Sequence, residues 1–210
     1  MVEEVSNWLA FSQSFLLNAK LGCQELEDKR DNKHRKITRF DPPEFNLTYQ
    51  PRDLYVPIIF NIKHGLEIFI KTLVIFQTGS YRPGHDLKKL FDQLKLVFPQ
   101  NITPLADRSG DIIEQADIDA VPNMLDELEG LVYKYYQCEF VSVENKKINV
   151  NDKENNVFRY PKNKAGMVVN LESVDEKSIK QVHEDIDKIY RILNDLGYLI
   201  DVYASKIKAQ

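Results

Sequence analysis

The sequence is poor in cysteine and lacks the common signatures of metal and nucleotide sites. Its two cysteines, Cys23 and Cys138, are far apart and form no CxxC pair. This pattern favours buried thiols in a reducing compartment over a disulfide framework or a metal site. There is no GxGxxG, no P-loop, no nucleophile elbow and no HExxH motif. We therefore expect a cytoplasmic protein with no metal site and no cofactor.

An excess of positive charge is also missing. The formal net charge is −4 over 210 residues, whereas proteins that coat nucleic acid are usually basic overall. One local basic run, "KRDNKHRKITR" at residues 29–39, stands out. Such runs usually form a solvated loop, and we interpret this one in that way. The overall charge therefore argues against a protein whose main work is coating nucleic acid.

Long apolar runs without charge are absent too. The most apolar stretch, residues 56–77, is interrupted by Lys63, His64, Glu67 and Lys71. Charges at this density argue against a membrane span, so we expect no membrane partner. Because nearly every face of this stretch is apolar, the pattern predicts a buried central helix.

Helical spacing of apolar residues recurs along the chain. Together with the central helix, it predicts a single domain over residues 1–210: a mainly α, up-and-down bundle of four or five helices. Near-twofold alternation around "ENKK" predicts a β-hairpin, and "MVVNLE" a further short strand, within a β insertion at about 138–171. Prolines favour an irregular connection over 28–55. The predicted helices cover 3–27, 56–77, 86–98, 117–137 and 175–208.

Three polar residues of the central helix are candidates for chemistry. His64, Glu67 and Lys71 are spaced three and four apart, so they lie on one side of the helix. On an apolar helix such a line must meet water, a cleft or polar partners. The alternative is structural: Glu67 and Lys71 form an ion pair worth about 0.3 kcal/mol, and His64 is a half-buried packing residue.

The stretch "YRPGHDLKKLF", residues 81–91, raises a similar question about His85. An imidazole titrates near neutral pH and suits proton transfer or phosphate binding. Arg82, three residues earlier, could add a guanidinium that grips phosphate. In the alternative, Gly84 and His85 form a turn, Asp86 caps the next helix, and His85 only packs there.

These segments resemble the HEPN superfamily. "HGLEIFIKTLVIFQTG" followed by "GHDLKKLF" is similar to a pattern in many bacterial HEPN-like proteins, H-x-x-E-x-x-x-K and then H-D-L-x-x-L. The opening helix with Trp8 and the segment "FRYP" at 158–161 fit the same scheme. The resemblance covers about half of the chain. It implies a helical bundle that often dimerises and, in many members, a metal-independent ribonuclease of toxin, phage-defence or CRISPR-linked systems.

The chain departs from the family in its catalytic motif. HEPN ribonucleases use Arg-x(4–6)-His, but Arg82 and His85 have two residues between them, and Arg30 and His34 have three. No arginine stands at that distance before His64 or His183. A ribonuclease site would therefore have to be assembled in space, with Arg159 as the best distant arginine. Otherwise Arg159 is an ion-paired residue that braces the β insertion.

Two hypotheses follow from these observations. In the first, the protein binds RNA or a nucleotide and cleaves RNA in a toxin or phage-defence setting. His85 is then the acid/base and Glu67 orients a histidine, with His64 as the further catalytic candidate, while Arg159, Arg82 and Lys71 are the candidate phosphate ligands. In the second, the chain is a non-catalytic HEPN-like module that binds a protein partner. Because the central helix is apolar and HEPN-like proteins often pair, we expect a homodimer in either case.

Overall fold

A computed structural model describes residues 2–27, 35–37, 47–49, 51–81, 83–106, 112–141, 147–154, 168–169 and 176–208. Five helices make up most of this part of the chain, so the predicted mainly α bundle is confirmed. In the described part, no helix is both long and apolar enough to cross a membrane. The helices are α1 (Val2–Glu27), α2 (Pro51–Thr78), α3 (Leu87–Val97), α4 (Gln115–Tyr136) and α5 (Glu176–Lys208).

The first two helices form the tightest pair of the bundle. They run antiparallel, since Gly22 of α1 faces Ile58 of α2 and Ser12 faces Gly65. A Cβ at Gly65 would lie 2.7 Å from Leu16 Cγ, so only glycine permits this approach. The Ser12 hydroxyl donates to the Gly65 carbonyl at 2.8 Å, which satisfies a buried polar group at the contact.

The last helix covers the other flank of α1. Asp187 and Asp201 of α5 meet residues near opposite ends of α1: Lys20 Nζ lies 2.6 Å from Asp187 Oδ1, and the Ser6 hydroxyl donates to Asp201 at 3.4 Å. The two helices are therefore antiparallel. Gly197 of α5 allows a Leu9 methyl carbon to lie only 3.0 Å from the position that a Cβ would occupy there. The helix itself continues without interruption.

A small β insertion lies between α4 and α5, as predicted. Strands β5 (Gln137–Val141) and β6 (Lys147–Asn151) form the expected hairpin. β7 (Val168–Val169), from the "MVVNLE" segment, pairs with β5 on its other side. Because α4 leads directly into β5, the sheet is anchored to the bundle. Two shorter antiparallel pairs complete the described strands: β1 (Arg35–Ile37) with β2 (Leu47–Tyr49), and β3 (Leu105–Ala106) with β4 (Ile112–Ile113).

The start of α2 differs from the prediction. Residues 51–55 were assigned to an irregular connection because of Pro51, but the helix begins at Pro51. Proline is well tolerated at the first helical position, where its missing N–H would have no helical partner. Pro57 lies only six residues further along, near the start of the helix.

Truncating a core residue of α2 tests this arrangement. Leu66, Phe69 and Leu73 are all 0% exposed. We expect Leu73→Ala to lower the free energy of unfolding by about 2–5 kcal/mol, because it removes buried methyl groups and leaves a cavity. Urea unfolding measures the loss, with the 77%-exposed Leu96 as the matched Leu→Ala control. A loss well under 1 kcal/mol would mean that this face of α2 is not in the core.

Candidate functional site

The loop between α2 and α3 brings His85 back onto α2. Gly79 follows the last residue of α2 and has φ +77°, and Gly84 has φ +141°. Residues other than glycine rarely adopt these backbone conformations. His85 Nδ1 lies 2.9 Å from Glu67 Oε1. The His85 side chain is 54% exposed, whereas that of Glu67 is 7% exposed. The result is a histidine open to solvent that is held by a buried carboxylate.

The carboxylate of Glu67 is itself paired. Lys71 Nζ lies 2.8 Å from Glu67 Oε1, and the lysine side chain is also only 7% exposed. The predicted pair therefore exists, but in a buried setting and not on the surface. Burying a charge is costly unless it is paired, and this pairing offsets the cost of placing the carboxylate behind His85.

The contact with Glu67 fixes the tautomer of the histidine. An ionised carboxylate has only acceptors, so Nδ1 of His85 must carry the hydrogen and donate it. In the neutral ring, Nε2 is then the remaining acceptor. A histidine of this kind, oriented by a carboxylate, can take a proton at Nε2 while the carboxylate stabilises the resulting imidazolium.

An aromatic pair, absent from the predicted site residues, borders this group. Lys71 Nζ lies 5.0 Å from the centre of the Tyr81 ring, and the Trp8 ring packs against Tyr81 at 5.2 Å with a tilt of 60°. Tyr81 is 37% exposed. In the sequence, its position close to Arg82 and His85 in "YRPGH" was the feature that could have indicated a place near the site. The surface beside His85 therefore includes an aromatic ring backed by a cation.

The predicted helix cap is also present. Asp86 is the N-cap of α3, and its side chain accepts a hydrogen bond from the Lys89 N–H at 3.1 Å. The structural interpretation of Asp86 is therefore confirmed. His85 precedes this cap and contacts Glu67 on α2. Helix capping therefore does not account for the position of the His85 side chain.

A second buried ion pair lies one turn earlier on the same helix. Lys63 of α2 pairs with Asp152, the residue after β6, and their side chains are 2% and 1% exposed. Cys138 Sγ lies 3.9 Å from Lys63 Nζ. The pKa of the Cys138 thiol is raised to about 11, mainly by burial; Lys63 opposes this rise and Asp152 adds to it. The thiol is therefore protonated at neutral pH and poorly suited to act as a nucleophile.

These two ion pairs define the polar line of α2. Lys63, Glu67 and Lys71 follow each other at intervals of four residues, and each is at most 6% exposed. The predicted line contained His64 in place of Lys63. The missed signal was the i, i+4, i+8 spacing of alternating charges in an apolar helix. Burial also raises the pKa of Tyr136; Asp86 and Asp152 add to this rise, while Lys88 opposes it.

His64 has different neighbours. Its ring stacks on Phe60 at 4.2 Å with an angle of 26°, and the Phe15 ring of α1 lies 5.6 Å away. The residue is half-buried, as the packing interpretation predicts. His64 therefore contributes to an aromatic cluster between α1 and α2.

Two predicted phosphate ligands, Arg82 and Arg159, lie outside the described residues. Lys71, the third, is engaged by Glu67 and Tyr81. Within the described ranges, no group of three or more His, Cys, Asp or Glu residues could hold a metal ion. Within the described ranges, the candidate site therefore consists of His85, Glu67 and Lys71.

Comparisons of this chain with protein families, with curated proteins and with solved structures found no match.

Proposed function

We propose that this chain is a HEPN-like protein that binds RNA or a nucleotide at His85 and cleaves RNA without a metal ion. The observation that carries the proposal is the pair formed by exposed His85 and buried Glu67, with Nδ1 and Oε1 2.9 Å apart. A solvent-facing imidazole with a fixed tautomer is the arrangement that general acid–base catalysis requires.

In the proposed reaction, Nε2 of His85 removes the proton from a ribose 2′-hydroxyl. The 2′ oxygen attacks the neighbouring phosphorus, the bond from phosphorus to the 5′ oxygen breaks, and a cyclic phosphate forms. The departing 5′ oxygen recovers a proton from the imidazolium or from water. Glu67 orients the ring and stabilises its charged form, and Lys71 holds Glu67 in place.

The proposed roles of the remaining residues rest on the sequence. Arg82, three residues before His85, and Arg159, in the "FRYP" segment, are proposed as phosphate ligands because guanidinium binds phosphate through paired donors. We assign Lys71 to holding Glu67 and not to the phosphate, because its side chain is 7% exposed. We propose no catalytic role for His64. The HEPN resemblance supports a cytoplasmic toxin or phage-defence protein that works as a homodimer.

One observation favours the second candidate function, a non-catalytic module that binds a protein partner. The exposed positions of α1 include Phe11, Leu17 and Leu21, which are 61%, 46% and 52% exposed. Large apolar side chains grouped in this way are common at protein interfaces. Such a surface can occur together with an active site at His85, but the binding of a protein partner does not require that site.

Binding of a fluorescent single-stranded RNA, followed by anisotropy, distinguishes the two functions. We expect His85→Ala to weaken binding of the RNA or of a nucleotide about threefold to tenfold, because the variant loses the hydrogen bond that Nε2 accepts from a ribose hydroxyl. The melting temperature should stay nearly unchanged, since His85 is half exposed. His183→Ala, which removes a histidine from α5, is the matched control and should bind like the parent. If the parent binds neither RNA nor nucleotide, the interaction module is the better description.

A further inference from the structure

The side chain of Tyr81 reaches the surface beside His85. Tyr81 lies in the loop that joins α2 to α3, four positions before the histidine. Aromatic side chains gain most of their stabilising energy from burial, yet this residue keeps 37% of its surface exposed. Packing within the protein therefore uses only part of the ring, and the rest is open to a ligand.

Two buried side chains connect the Tyr81 ring to the imidazole of His85. Lys71 Nζ lies 5.0 Å from the centre of the ring and 2.8 Å from Glu67 Oε1. The same carboxylate oxygen lies 2.9 Å from His85 Nδ1. The tyrosine and the histidine are thus held by one ion pair, from which both extend to the surface. A nucleotide bound at His85 lies within reach of the Tyr81 ring.

The neighbours of Tyr81 fix the orientation of its ring. Lys71 lies over the ring and is only 6% exposed, so the face that it covers is turned towards the protein. The Trp8 ring is inclined by 60° at a centre-to-centre distance of 5.2 Å, so it meets the tyrosine at an angle and does not lie flat on it. The part of the ring that solvent reaches is therefore the part turned away from Lys71.

The position of Lys71 restricts which ligands this surface accepts. Cationic groups commonly bind over aromatic rings, but the ammonium of Lys71 already lies over this ring and would repel a second cation. A nucleobase is flat and uncharged, and bases stack on exposed aromatic side chains whatever their sequence. An uncharged base is therefore the better partner for the open part of the ring.

We propose that Tyr81 stacks on an unpaired base of the RNA on which His85 acts, and that the substrate is therefore single-stranded at this point. The inference rests on the proposed function, because it names the class of RNA that the His85 site accepts. In a duplex, each base is paired and stacked between its neighbours, so its face is not available to a side chain. Stacking on Tyr81 holds the nucleotide while its ribose hydroxyl meets Nε2 of His85.

Binding of a labelled single-stranded RNA to variants of Tyr81 tests the stacking. Fluorescence anisotropy should show an affinity about 5- to 150-fold weaker for Tyr81→Leu, because the variant loses the stack with one base. Tyr81→Phe keeps the ring and should bind like the parent. Tyr198→Leu is the matched control: Tyr198 is a 45%-exposed tyrosine of α5, and this variant should also bind like the parent.

A comparison of ligands tests the same contact in the parent protein, in case Tyr81→Leu fails to fold. The ligands are the single-stranded RNA, a duplex of the same sequence, and an abasic ribose-phosphate oligomer of the same length. We expect the parent to bind the single strand at least about fivefold more tightly than either of the others. Trp8 is the single tryptophan of the chain, so saturation with the single strand should change its fluorescence and saturation with the abasic oligomer should not.

Several results would overturn the stacking role of Tyr81. They are equal affinity of the parent for RNA and for the abasic oligomer, parent-like binding by Tyr81→Leu, an equal loss in Tyr198→Leu, and Trp8 fluorescence that RNA leaves unchanged. If His85→Ala still loses cleavage in such a case, the proposed function survives and only the stacking fails. If the parent binds no RNA, the proposed function and this inference fail together.

Discussion

Asp152→Ala is expected to lower the free energy of unfolding by about 3–5 kcal/mol, because it leaves a buried charge without its counter-ion. The side chains of Lys63 and Asp152 are 2% and 1% exposed. Lys63 lies in the middle of α2 and cannot reach solvent without unpacking the core. The backbone bond from the Asp152 N–H to the Tyr136 carbonyl, 2.9 Å long, remains in the variant, so the loss reports on the carboxylate.

Two further variants separate charge from packing. Asp92→Ala removes an acid from an exposed i, i+4 pair with Lys88 and should cost less than about 1 kcal/mol. The double variant Lys63→Met with Asp152→Val removes both charges, and it should recover most of the stability that Asp152→Ala loses. Chemical denaturation measures all three. If Asp152→Ala costs no more than Asp92→Ala, the ion pair is not buried as described.

His85→Ala should reduce RNA cleavage by about 10²- to 10⁴-fold, the usual contribution of a general acid or base. The assay follows a labelled single-stranded RNA in the presence of a chelator, because the proposed reaction uses no metal. Stability should change little, since the side chain is 54% exposed. If His85 is instead a structural residue at the start of α3, the free energy of unfolding of the same variant should fall by about 1 kcal/mol. Its cleavage activity should then equal that of the parent.

Glu67→Gln probes the group behind the histidine. The amide keeps the shape of the side chain but lacks the charge that holds Nδ1 and Lys71. We expect a smaller loss of cleavage than in His85→Ala, together with lower stability because Lys71 is buried. His183→Ala should cleave like the parent. Cleavage by His85→Ala at the parent rate, or no cleavage by the parent, would refute the catalytic role.

Much of the fold is predictable because it depends on local patterns. Apolar residues at helical spacing mark all five helices, and alternation around "ENKK" marks the β5–β6 hairpin. The glycine stop at Gly79 and the cap at Asp86 are short-range features with a direct physical reason. The Glu67–Lys71 pair is predictable from its i, i+4 spacing, although its burial is not.

The missed features depend on contacts between distant parts of the chain. Asp152 is 89 positions after Lys63, and no local pattern connects a residue after a strand with the middle of a helix. Lys63 is an exception, because its spacing from Glu67 and Lys71 is a local pattern that distinguishes it from the adjacent His64. Tyr81 pairs with Trp8 across 73 positions, and its contact with the Glu67–Lys71 pair exists only after folding.

His85, held by Glu67, is proposed to be the group that takes the proton from the ribose 2′-hydroxyl of bound RNA. The most direct measurement is the side-chain nitrogen NMR spectrum of the histidines, recorded while single-stranded RNA is added. We predict that His85 carries its hydrogen on Nδ1 and that its Nε2 resonance shifts to saturation, while the resonances of His183 stay in place. A spectrum with the hydrogen on Nε2, or RNA binding that leaves the His85 resonances unchanged, would contradict the account.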